Sequence, residues 1–271
     1  MKTSLNDHEY IQYSKQMLLT DVSEKGQLAL MNATAIIVGV GGLGQLVAQY
    51  LAASGVSIIH LIDGDDVELS NLPRQIFFDA NDIGNNKASI AMKKLHQRNV
   101  VCDLSAHQVF INPGNYQELF DSLVPKCSLV SGLSSAVLFD CSDNFTTRQL
   151  VNRIAIEYKM PLISASISAD QGQWFAYLPL SNSSEMQALS INSHGCYHCV
   201  YPSDSILSQN CSQAGVLGPA VGVMASMQAL AGMNQMIGRP IEYGVLHRFD
   251  AKRLSWSKAK MNIDKHCHVC Q

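Results

Sequence analysis

Short apolar runs alternate with segments of helical periodicity in the first half of the chain. The β-branched runs TAIIVGV (34–40) and SIIHLID (57–63) predict buried strands. Between them, QLVAQYLAASG (45–55) has helical spacing and ends on Gly55, a typical residue for the end of a helix. The alternation continues with a helix at 85–99 and a strand end at 138–143. Another helix at 145–159 and a strand at 161–167 follow. It predicts a parallel sheet covered by helices on both faces.

The second half has a different pattern. The segments 171–180 and 243–261 alternate in the way that is typical of antiparallel strands with mixed faces, and an apolar helix is predicted at about 216–237. No internal repeat or low-complexity linker divides the chain. We therefore expect one α/β domain over residues 1–271, a Rossmann-like doubly wound sheet with a parallel N-terminal half and antiparallel C-terminal strands.

Composition and charge narrow the function classes. The 271 residues are 47% hydrophobic and 15% charged, with a net charge of −3 and no basic run, so nothing predicts binding to nucleic acid or to a membrane surface. Residues 26–62 and 205–238 carry no charged residue, but polar side chains interrupt both, and we interpret them as buried soluble structure. Without a signal peptide at the start, we expect a cytoplasmic protein whose eight cysteines are free thiols or metal ligands.

A glycine-rich segment, GVGGLG (39–44), follows the first predicted strand and opens the next predicted helix. Glycines at such a position let the backbone turn tightly and approach a phosphate at the helix N-terminus. Asp63 ends the next strand about 20 residues further on, where a carboxylate accepts hydrogen bonds from a ribose. Together these features predict a nucleotide site, although the glycine motif alone also fits a tight turn without a ligand.

The residues after Asp63 favour a triphosphate over NAD. The segment DGDDVELSNLPRQ (63–75) contains Asn71 and Arg74, and Lys87 lies in the first turn of the following helix. Two cations suit a chain of phosphates, whereas hydride transfer requires no such pair. The alternative interpretation of Lys87 is an ordinary solvated side chain on a helix.

Four cysteines form two CxxC pairs, Cys196 with Cys199 and Cys267 with Cys270. Two such pairs predict a tetrahedral zinc site with four thiolate ligands, and a closed shell of this kind is structural. One alternative is a redox-active CxxC pair. Another is mixed ligation by nearby histidines, namely His194, His198, His266 or His268.

Several motifs then occur in a fixed order: GVGGLG, DxDxVxxSNLxRQ, GxxK, and DCSDN followed by Arg148. In this combination the chain resembles the ThiF/MoeB/HesA family, relatives of the ubiquitin-activating enzymes, from YSKQMLL (13–19) to its last cysteine. The resemblance implies ATP- and Mg²⁺-dependent adenylation of the C-terminal glycine carboxylate of a small ubiquitin-like protein. It also implies a nucleotide-binding part (28–180) and a part with the zinc knuckle, a crossover loop and the carrier-binding surface (181–271).

The resemblance also implies roles for individual residues. The loop glycines would line the phosphates, Asp63 would hold the ribose, and Asp143 of DCSDN would ligate magnesium. Asn71, Arg74 and Lys87 would contact the triphosphate. The complete set implied at the nucleotide is Gly39, Gly41, Gly42, Gly44, Asp63, Asp65, Asn71, Arg74, Gln75, Lys87, Asp143 and Asn144.

Two residues and one segment lie outside these motifs. Lys15 stands where the family usually has an arginine that reaches the partner subunit's ATP; lysine keeps the charge but loses the planar fork. Cys211 matches the cysteine that receives sulfur, or forms a covalent link to the carrier, in the ThiF branch; an inert loop cysteine is the alternative. The segment 125–139 is longer than the family pattern predicts, and we assign it no function.

The chain thus looks like a member of the ThiF branch, which would activate a ThiS-like sulfur carrier for synthesis of the thiamine thiazole. The resemblance implies a homodimer that binds ATP, Mg²⁺ and structural Zn²⁺ and takes sulfur from a donor protein. The alternative is the MoeB branch, acting on a MoaD-like carrier subunit of molybdopterin synthase. More distant alternatives are a non-catalytic carrier-binding scaffold and an NAD-dependent oxidoreductase.

Overall fold

The computed structural model describes residues 2–98, 102–124, 129–130, 133–134, 136–179, 194–202 and 215–271. Eight α-helices occur in this part of the chain: α1 (Asp7–Met17), α2 (Ser23–Leu30), α3 (Gly44–Ala53), α4 (Lys87–Gln97), α5 (Tyr116–Leu123), α6 (Phe145–Glu157), α7 (Tyr197–Val200) and α8 (Gly218–Ile237). Two short 3-10 helices lie at Leu69–Asn71 and Ala80–Asp82. The strands are β1 (Thr34–Val38), β2 (Ile58–Ile62), β3 (Asp103–His107), β4 (Leu129–Val130), β5 (Leu133–Ser134), β6 (Ala136–Asp140), β7 (Leu162–Ser168), β8 (Gln171–Tyr177), β9 (Val245–Asp250) and β10 (Ser255–Lys260).

Eight of these strands form one sheet in the order β10-β9-β8-β7-β6-β1-β2-β3, and β4 pairs with β5 separately. The pairings from β7 through β6, β1 and β2 to β3 are parallel, and those from β7 to β10 are antiparallel. Strand β1 pairs on both edges, Thr34 with Ile58 and with Ala136, and all five of its residues are buried. This mixed sheet confirms the predicted fold class.

Helices cover both faces of the sheet. One face carries α2, α3, α4 and α8, whose apolar side chains, including Val47, Leu95 and Met224, form one core cluster. The other face carries α5, α6 and α7, which contribute side chains such as Phe120, Ile154 and Tyr197 to a second cluster. Two buried layers on a central sheet explain why the strands read as continuous apolar runs rather than as alternating patterns.

Helix α8 packs very closely on the sheet. A Cβ at Gly232 would lie 2.2 Å from the ring of Phe139 in β6, so only glycine allows this approach. The buried Gln228 amide donates to the carbonyl oxygens of Asp140 (2.8 Å) and Ile163 (2.9 Å). Helix α8 therefore ties the end of β6 to the beginning of β7.

The predicted helices at 45–55, 85–99, 145–159 and 216–237 correspond to α3, α4, α6 and α8, with boundaries that differ by a few residues. The residue Gly55 follows the end of α3 with a φ of +90°, which a side chain would oppose. The boundary at residue 180 falls between β8 and β9, which are neighbours in one sheet, so the division into two parts stays a prediction. In the described part of the chain, every helix is too short or too polar to cross a bilayer.

Candidate functional site

A cleft of about 1120 Å³ opens at the carboxyl ends of β1, β2 and β6. From β1 the chain continues into α3 on one face of the sheet, and from β6 it continues into α6 on the opposite face. The loops after these neighbouring strands therefore diverge and leave a crevice between them. This is the switch point at which doubly wound sheets bind their ligands.

The glycine loop forms the floor of the cleft. Gly39 has a φ of +88°, and a Cβ there would lie 2.8 Å from the carbonyl oxygen of Cys141. Gly41 and Gly42 line the cleft together with Gly39. Gly44 lies behind the loop, because a Cβ on it would be 1.8 Å from the Gly39 oxygen. The first three glycines thus expose backbone toward a ligand, and Gly44 allows the turn to close.

Asp63 follows β2 and holds the glycine loop. Its carboxylate accepts hydrogen bonds from the backbone N–H of Val40 at 2.6 Å and from that of Asp65 at 2.8 Å. Burial raises the pKa of the Asp63 carboxyl, while these two hydrogen bonds and nearby Lys87 act in the opposite direction. Asp63 also lines the cleft, so its carboxylate oxygens have lone pairs left for ligand hydroxyl groups.

Two cations reach the cleft from different elements. Lys87 is 6% exposed, and its ammonium group pairs with Asp65 at 3.0 Å. Arg74 is half-buried, donates from Nη1 to the carbonyl oxygen of Ser70 at 2.9 Å, and has no acidic partner among the described residues. The burial of Lys87 contradicts its interpretation as a solvated side chain on a helix surface.

Two amides of the same turn also face the cleft. Asn71 is 5% exposed, and its side-chain Nδ2 donates to the Ser70 hydroxyl at 3.2 Å. Gln75 is 3% exposed and its Oε1 finds no hydrogen-bond partner among the described residues. A buried amide oxygen without a donor is costly, so this atom is available to a ligand or a water in the cleft.

The loop after β6 supplies the carboxylate that the sequence predicts for magnesium. Asp143 is exposed, lines the cleft, and makes no hydrogen bond or ion pair with any residue that the structure describes. Its neighbour Asn144 caps α6, accepting from the backbone N–H of Thr147 at 2.9 Å. Asp143 is therefore free to bind a cation, whereas Asn144 uses its side-chain oxygen to begin the helix.

A buried ion pair supports this loop from below. Arg148 of α6 lies 3.4 Å from the Asp140 carboxylate, and it donates to the carbonyl oxygens of Ala165 (3.0 Å) and Ser142. The hydroxyls of Ser142 and Ser164 donate to Asp140 at 2.6 and 2.7 Å. This network joins the end of β6 and the middle of β7 to the first turn of α6, and it thereby fixes the position of the loop that carries Asp143.

The four cysteines of the two CxxC pairs come together away from the cleft floor. Their sulfur atoms all lie within 4.8 Å of one another, with Cys196 3.9 Å from Cys199, Cys196 3.8 Å from Cys267, and Cys199 3.5 Å from Cys270. Zn–S bonds of about 2.3 Å in a tetrahedron place sulfur atoms about 3.8 Å apart. The arrangement fits a zinc ion, and no histidine joins this group among the described residues.

The remaining predicted residues lie elsewhere. Lys15 is exposed on α1, outside the residues that line the cleft. Cys211 lies outside the described residues, as do seven of the fifteen residues of 125–139, a segment in which the structure places β4, β5 and most of β6. Burial raises the pKa of Cys102 to about 12 and that of Cys141 well above its usual value, as expected of thiols without a reactive role.

Sequence reasoning missed the far end of the cleft. Gln173 of β8 and Arg248 of β9 are paired in register and line this end, and the Tyr201 hydroxyl donates to Gln173 at 2.8 Å. Phe110, which follows β3, lines the opposite end and is 64% exposed. These residues belong to no motif, and only the pairing of strands distant in sequence brings them to the cleft. A single sequence does not indicate that a large aromatic side chain such as that of Phe110 is exposed.

Comparisons with known proteins agree with this architecture. Among solved structures, Escherichia coli MccB with ATP superimposes with a TM-score of 0.76 at 24% identity, over 98% of this chain and 75% of that one. That likeness concerns the fold. The chain is 33% identical over 273 residues to the adenylyltransferase and sulfurtransferase MOCS3 of Xenopus laevis, covering 99% of this chain and 55% of that protein. The chain therefore spans about half the length of this relative.

A second curated relative matches over nearly its whole length. The chain is 35% identical over 266 residues to the sulfur carrier protein ThiS adenylyltransferase of Escherichia coli (strain K12), covering 98% of this chain and 97% of that protein. The model of the ThiF family matches residues 13–269, which include the glycine loop, the residues that line the cleft and three of the four clustered cysteines; Cys270 follows directly after the match. The chain belongs to the ThiF family.

Proposed function

We propose that the chain is an adenylyltransferase that uses ATP to activate the C-terminal glycine carboxylate of a ThiS-like sulfur-carrier protein, for synthesis of the thiamine thiazole. One observation carries the proposal. A single cleft combines the exposed glycine backbone with the cations Arg74 and Lys87 and with the free carboxylate of Asp143. Hydride transfer by a nicotinamide dinucleotide requires neither this pair of cations nor a carboxylate that is free to bind a metal ion.

The reaction that this site would support is nucleophilic displacement at phosphorus. An oxygen of the carrier carboxylate forms a bond to the α-phosphorus of ATP, the bond from that phosphorus to pyrophosphate breaks, and the products are an acyl-adenylate and pyrophosphate. Both reactants are anions, so positive groups must offset charge on the transferring and departing phosphates. Arg74 and Lys87 would bind the departing phosphates, and N–H groups of the glycine loop would orient the nucleotide.

Asp143 would hold the magnesium ion that accompanies ATP. Proteins commonly bind Mg²⁺ through one or two carboxylates together with the substrate's phosphates, and a single free carboxylate in a cleft of this kind fits that pattern. When bound, the ion supplies positive charge to the phosphate chain. The protein's own part is to keep Asp143 exposed and in place, through the Arg148–Asp140 pair beneath its loop.

The proposal of a ThiS-like carrier rests on how much of each relative's length this chain covers. The relative named ThiS adenylyltransferase is matched over 97% of its length, whereas the MOCS3 relative is matched over 55%. This difference supports a ThiS-like carrier over a MoaD-like one. The MoeB alternative is accordingly not favoured.

Further parts of the proposal concern metal, partners and assembly. The four-cysteine cluster would hold a structural Zn²⁺ that ties the C-terminal residues to α7. The Cys211 thiolate would attack the outer sulfur of a donor protein's persulfide and release the donor thiolate, or it would attack the carrier's acyl-adenylate, join to the carrier as a thioester and release AMP. A homodimer would cover exposed apolar side chains of α1 and α8, such as Ile11 (77% exposed) and Leu230 (48% exposed), and Lys15 would reach the partner subunit's cleft.

The deciding experiment is ATP–pyrophosphate exchange with the purified chain and two carriers, one ThiS-like and one MoaD-like, both ending in Gly-Gly. We expect exchange that depends on Mg²⁺ and on the ThiS-like carrier. Exchange with the MoaD-like carrier alone would show that the substrate is a MoaD-like carrier and not a ThiS-like one. ATP binding without exchange would favour a carrier-binding scaffold. Binding of NAD in preference to ATP, measured by calorimetry, would refute the adenylation chemistry.

A further inference from the structure

Lys87 is engaged by one residue through both its backbone and its side chain. Its ammonium group lies 3.0 Å from Oδ2 of Asp65, and its backbone N–H donates to the Asp65 carbonyl oxygen at 2.9 Å. The neighbouring Asn86 side chain donates to the carbonyl oxygens of Asp63 (3.0 Å) and Asp65 (3.1 Å). The start of α4 is thereby fastened to the segment that follows β2.

The two partners differ in exposure, and this difference matters. The Lys87 side chain is 8% exposed, whereas that of Asp65 is 55% exposed. A buried ammonium group needs a counter-charge, because its own hydration is largely lost. The half-exposed carboxylate, by contrast, can turn to water at little cost. Both groups line the cleft, so an arriving phosphate can take over the position that Asp65 holds.

We propose that Asp65 is a positioning residue that holds Lys87 in the nucleotide-free cleft and yields it to the phosphates of ATP. The inference rests on the proposed use of ATP. Lys87 exchanges one anionic partner for another: Asp65 before ATP binds and after pyrophosphate leaves, and phosphate oxygens in between. Asp65 therefore weakens the binding of ATP and of pyrophosphate, and it assists release of the product.

A double-mutant cycle separates this exchange from simple repulsion between Asp65 and phosphate. If the Asp65–Lys87 pair persists when ATP binds, the effects of Asp65→Asn and Lys87→Met on the Kd of ATP are independent. If the pair is given up, Lys87→Met weakens ATP binding more in the Asp65→Asn protein than in the wild type. The expected extra factor is about fivefold, which corresponds to one charge pair in a largely hydrated setting.

The measurements are Kd values for ATP, pyrophosphate and adenosine, obtained by calorimetry at one ionic strength. Asp65→Asn is expected to lower the Kd values of ATP and pyrophosphate by about fivefold or more. The variant removes both the competition for Lys87 and the repulsion between the Asp65 carboxylate and the phosphates. Adenosine binding is expected to stay unchanged in every variant. A structural disturbance of the cleft would instead raise the Kd values of all three ligands.

Helix α4 supplies a matched control. Another lysine of this helix, Lys94, pairs with Asp79 at 2.6 Å and with Asp82, and none of these three residues lines the cleft. The cycle of Asp79→Asn with Lys94→Met removes an ion pair from the same helix. We expect it to change the melting temperature without changing any of the three Kd values.

Two results would overturn the proposal: additive effects of Asp65→Asn and Lys87→Met on the Kd of ATP, or weaker pyrophosphate binding in Asp65→Asn. If Asp65→Asn does not fold, Asp65→Ser enters the same cycle under the same criterion. A wild-type protein that binds no ATP would refute the proposed function itself, whereas ATP binding without coupling would refute only the exchange.

Discussion

Replacement of Arg148 by methionine tests whether the buried network beneath the Asp143 loop holds the site together. Arg148 and Asp140 have side chains that are only 8% and 2% exposed. The Arg148→Met protein keeps the Asp140 carboxylate buried, with donors from Ser142 and Ser164 but without a cation. The carbonyl oxygens of Ala165 and Ser142 also lose the guanidinium donor.

The size of the effect follows from this burial. Removal of one member of a buried ion pair costs about 3–5 kcal/mol, because the remaining charge has neither water nor a partner. If Asp140 is changed to asparagine in the same protein, the charge disappears and only hydrogen bonds are lost. Those losses amount to about 1–2 kcal/mol in the free energy of unfolding. The double variant is therefore expected to be more stable than Arg148→Met alone.

The assay is equilibrium unfolding in urea, followed by circular dichroism and extrapolated to water. It is combined with ATP–pyrophosphate exchange, because displacement of the loop should also misplace Asp143. Lys258→Met, which removes an ion pair with Glu242 in which both side chains are more than half exposed, serves as the control and should cost about 1 kcal/mol or less. A loss below about 1 kcal/mol for Arg148→Met, or a double variant no more stable than the single one, would refute the reasoning.

Four further predictions concern single residues. Asp143→Ala should abolish ATP–pyrophosphate exchange with an unchanged melting curve; full exchange would remove Asp143 from the magnesium role. Cys199→Ser, or chelation of zinc, should lower the melting temperature by several degrees with little change in the Kd of ATP, and an unaltered melting curve would argue against a structural metal. Cys211→Ala should spare exchange and stop sulfur transfer to the carrier, as followed by mass spectrometry of the carrier; loss of both would indicate a structural loop. Lys15→Arg should raise the exchange rate about tenfold, equivalent to about 1.4 kcal/mol, if lysine is the weaker phosphate contact, and an unchanged rate would exclude that role.

The fold was predictable where burial and chain order leave a clear pattern. Strand β1 pairs on both edges and is buried on both faces, so its apolar run TAIIV is a strong signal. Strand β3 lies at the edge of the sheet, and its sequence DLSAH is mixed, with only Leu104 fully buried. Such a strand depends on pairing with β2, a tertiary contact that local pattern does not encode.

The helices that escaped prediction lack long apolar periodicity. Helix α1 begins with a capping box, in which Asn6 and Glu9 exchange hydrogen bonds, but exposes most of its side chains. Helix α5 is only eight residues long, although it buries Tyr116 and Phe120. Both elements are too short or too polar for the spacing of apolar residues to identify them.

For the candidate site, sequence motifs located residues that line the cleft but not those that support them. Glycines, Asp63, Arg74 and Lys87 stand at recognisable spacings because phosphate chemistry demands particular residue types. Gln228 reaches the end of β6 and the beginning of β7 from the middle of an apolar helix, 88 residues from Asp140 in the chain. Its function as a hydrogen-bond donor follows only from the packing of α8 on the sheet.

The acidic and basic side chains that line the cleft in the described part of the chain are equal in number. Among the described residues the lining holds four acids, Asp63, Asp65, Glu68 and Asp143, and four cations, Arg74, Lys87, Arg148 and Arg248. Asp140 engages Arg148 from below and Asp65 engages Lys87, so little uncompensated positive charge faces a ligand. A triphosphate in such a cleft would be held by directed donors and by a cation that it brings with it, rather than by a positive field. Removal of Mg²⁺ should therefore weaken ATP binding far more than adenosine binding, and equal weakening in calorimetry would show that the protein's own cations suffice.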